Sequence, residues 1–232
     1  MDVKSICRSL LEVGMIKPRL ILVDPKRDLC EAWQEHFYNL PNVEIVQGYF
    51  EQLPKFDCLV SAANSFGIMD GGVDLAIINF FGQPLMEDVQ TRILRDYLGE
   101  QPVGTSMIVE TGNLLHPFIA HTPTMRVPMP IAHTDQVYSA MWAMLLAVYH
   151  HNQQSNKIID IVACPGLGTT TGKMPYSEAA QQMAMAYKNF LNPPTRIDWI
   201  VVTDRSKPLR PYQVAMDYLH TLKESKSNAS NT

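Results

Sequence analysis

The chain has 232 residues, enough for one substantial hydrophobic core and too few for two. Apolar residues make up 46% of it and charged residues 18%, the balance of an ordinary globular protein. A formal net charge of -4, with its Lys and Arg scattered, gives no reason to expect general binding to nucleic acid or to an anionic membrane.

Residues 1–18 read as an N-terminal extension, whose Ile6, Leu10, Leu11 and Ile16 permit a short helix laid on the domain. RLILVD (19–24) is a continuous apolar run and a buried strand, followed by a proline suited to the first turn of a helix. Leu29, Trp33 and Phe37 mark one face of that helix. NVEIVQG (42–48) is a second strand closed by glycine, and DCLVSAA a third. Val73, Ala76, Ile77 and Phe80 recur at helical spacing from Gly72 onward, and Met86, Val89, Ile93 and Tyr97 define the next helix. TSMIVETG (105–112) and FIAHTP (118–123) read as strands joined by a turn at Asn113, with 123–130 an irregular surface loop.

A long apolar helix is expected from Asp135 to His151, then IIDIVACPG (158–166), the strand expected to be most fully buried. A helix from about Ser177 to Phe190, a last strand IDWIVVTD (197–204) and a closing helix from Tyr212 to Leu222 complete the pattern. One domain over 19–222 is expected, with 223–232 a disordered tail because no apolar periodicity remains there. Near-continuous apolar strands alternating with helices predict an α/β fold whose sheet is covered on both faces.

The four cysteines, at 7, 30, 58 and 164, form no CxxC pair, and Cys58 and Cys164 sit in strand-like runs that suit buried thiols. With no charged-then-apolar leader and no apolar run of membrane length, the expected location is cytoplasmic. His116, His121 and His133 show no metal-ligand spacing and are read as packing or surface residues, so no metal is expected.

In such a sheet, ligands gather beyond the carboxyl ends of the strands. Three unusual segments fall at such ends: Gly48-Tyr49-Phe50, the loop from Ala62 to Asp74, and CPGLGTTTGKMP from Cys164 to Pro175. Gly71 and Gly72 stand where a helix begins, a place whose backbone amides favour an anion. In the third segment Gly166, Gly168 and Gly172 interleave with Thr169, Thr170 and Thr171, so that backbone and hydroxyl donors can approach an oxyanion closely. It is not a magnesium-nucleotide loop, because Met174 stands after Lys173 where a Ser or Thr is needed, and no GxGxxG follows the first strand. Two such loops at one sheet edge point to a cleft for a diphosphate. Asn64 suits either a ligand contact or the capping of its own turn. Asp74 suits either a water-polarising carboxylate or an ordinary acid in a first helical turn.

AANSFGIMDGGVDLAI resembles the first signature loop of macrodomains, the ADP-ribose-binding fold, and PGLGTTTGKMP resembles their second, phosphate-side loop. The resemblance, in order and spacing, runs from about Leu20 to Val202. It implies a three-layer α/β/α sandwich with a central mixed sheet and a cleft for ADP-ribose. By that resemblance Ala62, Ala63 and Asn64 lead into the ligand, with Asn64 on the distal ribose hydroxyls. Gly71, Gly72 and Val73 line the diphosphate from one side. Gly166, Gly168, Thr169, Thr170, Thr171 and Gly172 belong to the loop that closes from the other. Asp74 takes the place of the carboxylate that activates water, and Phe50 lies against the adenine. Asp204, after the expected last strand, borders the adenine end.

This sequence departs from the family where Ser61 stands for an asparagine, and where Met69 and Asp70 stand for glycines. Tyr49 stands for the adenine-reading aspartate, leaving Tyr49 to stack on the base or Asp24 to supply the acceptor. Gly172 stands where many de-ADP-ribosylating members carry an aromatic. With Thr170 in place of a usual glycine, the second loop looks more like the PGLGTG type of ADP-ribose phosphate phosphatase relatives and uncharacterised bacterial macrodomains. A monomer without cofactor is expected, and the resemblance implies ADP-ribose or an ADP-ribosylated substrate as its partner. It implies a hydrolase of an ADP-ribosyl bond on a mono-ADP-ribosyl protein or O-acetyl-ADP-ribose. A non-catalytic reader or an ADP-ribose phosphate phosphatase are the other readings.

Overall fold

The structure, a computed structural model, describes residues 17–209 and residue 214. Six strands form one sheet: β1 (Arg19–Asp24), β2 (Val43–Gln47), β3 (Cys58–Asn64), β4 (Met107–Glu110), β5 (Phe118–Met125) and β6 (Ile161–Cys164). Their spatial order is β2-β1-β6-β3-β5-β4. All neighbours run parallel except β4 and β5, so the sheet is mixed.

Side chains alternate across the pleat, and the sequence exploits both faces. Leu20, Leu22, Cys58, Val60, Phe118, Ala120, Val162 and Cys164 point to one side, under three helices. These are α1 (Arg27–His36), α4 (Gln136–Gln154) and α5 (Tyr176–Leu191). Ile21, Val23, Leu59, Ile119 and Ala163 point to the other side, under α2 (Gly72–Phe81) and α3 (Pro84–Tyr97). The result is the expected three-layer α/β/α sandwich.

Helix limits follow local chemistry. Gly71 caps α2 in an extended conformation, Gly82 ends it at φ 99°, and Pro84 opens α3 at its first position. Cys30, Cys58 and Cys164 are buried free thiols. Among the described residues no helix is long and apolar enough to cross a membrane.

Three expectations are corrected. IDWIVVTD is not a strand: Trp199–Ser206 forms a helix, α6. Asp198 caps it by accepting a bond from the Val201 amide at 3.1 Å, and no residue of α6 is buried. A β-branched run favours a strand only where a sheet edge and a core face receive it, and here the local cap prevails. The most completely buried strand is β5, with all eight residues buried, because the α4 layer covers one face and α3 the other; Ile161 of β6 is half-exposed. For the same reason Thr124 and Met125 belong to β5, and only 126–130 is exposed loop. The N-terminal extension, the closing helix and the tail lie outside the described residues, Lys17, Pro18 and Val214 apart.

Candidate functional site

A cavity of about 510 Å³ lies across the carboxyl ends of β2, β1, β6, β3 and β5, a volume suited to a small organic ligand. Every predicted site residue lines it except Asp204, which sits on α6 and is not among the lining residues. Asp204 was expected there because 197–204 was read as a strand ending beside the ligand; as a helix it is carried elsewhere.

The first wall is the β3–α2 loop. Gly72 adopts φ +57°, a conformation that glycine takes without strain. The first amides of α2 have no partner within the helix and lie at its positive end. Asn64 closes its own turn: its Oδ1 accepts from the Phe66 amide at 3.0 Å, and its Nδ2 donates to the Ile68 carbonyl at 2.7 Å. The turn-capping role is therefore occupied, and one Nδ2 hydrogen is left for a ligand.

Asp74 lies in the first turn of α2, only 6% exposed. Its Oδ1 accepts a 2.6 Å bond from Ser61 Oγ, at the middle of β3. Burial raises its carboxyl to about 6; the Ser61 bond opposes that rise and the charge of Asp70 adds to it. Ser61, noted in the sequence only as a departure from a family pattern, is thus the group that orients Asp74.

The second wall is the β6–α5 loop. Gly168 has φ +68°. Its carbonyl accepts from the Met174 amide at 3.0 Å, that of Thr170 from Lys173 at 3.3 Å, and that of Gly172 from Ile131 at 2.7 Å. Three carbonyl oxygens that would repel a phosphate are occupied within the protein. Gly172 admits no side chain, since a Cβ there would overlap the Gly168 carbonyl oxygen and lie 2.8 Å from Ile131 Cγ1. No aromatic side chain can stand at this position; Tyr176, from the first turn of α5, lines the cavity nearby.

Among the described lining residues the one basic side chain is Lys26, against Asp24, Glu51, Asp70 and Asp74. A bound diphosphate would therefore be held by backbone amides and a helix N-terminus rather than by paired charges. At the β2 and β1 ends the lining is Tyr49, 58% exposed, buried Phe50 and Asp24. Phe50 leads a single tight turn, Phe50–Gln52, and meets Phe80 edge-on at 5.6 Å. Asp24 Oδ1 accepts from the Lys26 amide at 2.9 Å. Burial raises its carboxyl, opposed by the Lys26 and Gly166 amides. Lys26, Ile68, Met125, Pro128 and Tyr176 also line the cavity and carried no sequence signal that marked them.

His121, read as a packing residue, is fully buried in β5, with Nδ1 2.6 Å from Gln101 Oε1. Because Gln101 Oε1 can only accept, Nδ1 carries the proton of a neutral ring, and burial pulls the imidazole down to about 3.

The Macro domain profile matches residues 60–183. An uncharacterised protein of Aquifex aeolicus is 26% identical over 163 residues, which span 70% of this chain and 90% of that protein. Among solved structures, a mutant Oceanobacillus iheyensis macrodomain with ADPR matches 78% of this chain and 83% of its own, at 19% identity and a TM-score of 0.55. The macrodomain of Mycobacterium tuberculosis DarG matches 61% of this chain and 87% of its own, at 20% identity and a TM-score of 0.51. These structural likenesses carry the fold, and the profile, which spans more than half of the residues, carries the family. The chain belongs to the Macro domain family.

Proposed function

We propose that this macrodomain binds ADP-ribose across its strand ends and hydrolyses an ADP-ribosyl bond, with mono-ADP-ribosylated acidic side chains of proteins or O-acetyl-ADP-ribose as substrate. Family membership supports ADP-ribose binding, and the two facing glycine-rich turns suit its diphosphate. The observation that carries the hydrolytic reading is Asp74, a carboxyl on the cavity wall, held by Ser61 and raised to about 6. A base with that value is ionised at neutral pH yet retains affinity for a proton. On O-acetyl-ADP-ribose, water attacks the acetyl carbonyl carbon as Asp74 takes its proton, and the ester bond breaks to give acetate and the free ribose hydroxyl. On the protein-linked substrate, water attacks the anomeric carbon of the distal ribose as Asp74 takes its proton. The bond from that carbon to the acyl oxygen breaks, and the leaving group departs as a carboxylate. Asn64 Nδ2 orients the sugar, and the backbone donors of both loops offset the phosphate charge.

The test is release of ADP-ribose from a mono-ADP-ribosylated glutamate substrate by wild type and by Asp74→Ala. Loss of a general base predicts a fall of about 10²- to 10⁴-fold; unchanged release would remove Asp74 from the mechanism. One observation favours a second reading, a binding module without turnover. Asp74 and Asn64 both spend hydrogen bonds on the protein itself, through Ser61 and the Ile68 turn. Calorimetric binding of ADP-ribose with no product over hours would establish that reading instead.

A further inference from the structure

The first loop leaves the sheet where the strand ladder is interrupted. β3 and β5 pair in register from Cys58 opposite Phe118 to Ala63 opposite Pro123, then slip by one, so that Asn64 stands opposite Met125. Asn64, on the cavity wall, and Ser65 behind it therefore need support from outside the regular ladder. The connection 98–106, between α3 and β4, supplies it. The Gln101 amide donates to the Ser65 carbonyl at 2.8 Å, and the Ser65 amide donates to the Arg126 carbonyl at 3.1 Å. The fully buried Gln101 side chain ties that joint to β5. Its Nε2 donates to the His121 carbonyl at 3.2 Å, and its Oε1 accepts from His121 Nδ1 at 2.6 Å. A carboxamide carries a donor and an acceptor side by side, which is what this pair of groups requires.

We infer that Gln101 is a positioning residue for the first loop, holding Asn64 and the turn that leads to Asp74 at the spacing from the second loop that the ligand requires. This rests on the ADP-ribose reading above. Ser65 Oγ and His121 Nε2 are buried and, among the described residues, have no hydrogen-bond partner, so the side-chain link between Ser65 and β5 runs through Gln101. The other fastenings of the loop are weaker. Gln90 Nε2 reaches the Gly67 carbonyl at 3.3 Å. Glu100 holds the Arg126 guanidinium at 2.6 and 2.9 Å, and Arg126 lies over the Phe66 ring at 5.2 Å. That ion pair is exposed, where such pairs contribute little. Without the Gln101 carboxamide, the His121 Nδ1 proton loses its acceptor inside the core, and the connection 98–106 is free to shift and carry Ser65 with it.

The experiment is calorimetry with ADP-ribose on the full chain, comparing wild type, Gln101→Met and Asn152→Leu well below their melting temperatures. Methionine keeps the length of glutamine without its amide. Asn152 is the matched control, a buried carboxamide that clamps Ile159 by accepting from its amide at 2.8 Å and donating to its carbonyl at 2.9 Å. That clamp precedes β6, at the sheet edge opposite the cavity. Both variants should lose stability, but only Gln101→Met should lose affinity, by about 10-fold, the worth of roughly one hydrogen bond to the ligand. Gln101→Met that binds as wild type does would overturn the proposal, and so would an equal loss in Asn152→Leu. A wild-type measurement needs no variant to fold: because coupling is reciprocal, saturating ADP-ribose should slow hydrogen exchange at the Gln101 amide more than at the Ile159 amide. Equal slowing at the two would overturn the proposal. Failure of wild type to bind ADP-ribose at millimolar concentration would overturn the parent reading and this one with it, whereas binding that Gln101→Met preserves would overturn this one alone.

Discussion

Replacing Gly172 by alanine adds a single methyl group at the tightest point of the second loop. The new Cβ would overlap the Gly168 carbonyl oxygen, which is backbone and cannot rotate away, and would stand 2.8 Å from Ile131 Cγ1. Relief requires the turn 168–172 to open. Overpacking of this kind costs about 1–3 kcal/mol. Opening also strains the 2.7 Å bond from the Ile131 amide to the Gly172 carbonyl, worth about 1 kcal/mol. The sum, about 2–4 kcal/mol, corresponds to a fall in Tm of roughly 4–16 °C for a domain of this size. Because the same turn carries the amides around Gly168, ADP-ribose affinity should fall with stability. Gly71→Ala is the control: it has an extended backbone, and nothing lies within 4 Å of its Cβ. Its cost should stay within about 1 kcal/mol, the loss of a fair N-cap residue. Thermal melts and calorimetry on both variants decide the matter. A Gly172→Ala protein that melts and binds like wild type would refute the close approach and the role given to that turn.

Two predictions concern protons. Ser61→Ala removes the bond that holds Asp74 down, so its carboxyl should rise beyond about 6. The acid limb of the pH–rate profile should then move to higher pH, and an unmoved limb would contradict the Ser61 role. The second concerns stability. His121, lowered from 6.5 to about 3, binds fewer protons folded than unfolded in that window, so it contributes stability that is lost as pH falls through it. Asp74, raised from 3.8 to about 6, binds more protons folded, so it contributes stability that grows as pH falls. The two oppose each other, about 5 against about 3 kcal/mol over their full windows, and His121 prevails. Urea melts of wild type and His121→Gln at pH 7 and pH 4 should show the variant losing about 3 kcal/mol less between them; equal losses would contradict the buried neutral imidazole.

Much of this site was legible in local patterns. Gly72 and Gly168 follow strands and take positive φ, and the glycine spacing of the two loops reveals where backbone must turn closely. β1, β3 and β5 were readable as near-continuous apolar runs because both faces of the sheet are covered. What escaped depended on contacts between distant segments. Gly172 forbids a side chain partly because Ile131 lies against it, and nothing in CPGLGTTTGKMP announces Ile131. Asp74 owes its raised carboxyl to burial, and the bond that opposes the rise comes from Ser61, thirteen positions away on another element. Residues 197–204 misled because their β-branched side chains fit a strand, while a short-range device, the Asp198 cap, directed them into a helix with no core to face. Asp204 was displaced from the site by that one local event.

The central claim is that main-chain donors of two facing turns grip a diphosphate between them. Backbone amide NMR during titration tests it most directly, with ADP-ribose, ADP and adenosine added in turn. The account predicts large shifts at Gly72, Gly168 and Thr169 with the first two ligands and small ones with adenosine, which lacks phosphate. Amides at Gly72 and Gly168 that stay in place at millimolar ADP-ribose would contradict it.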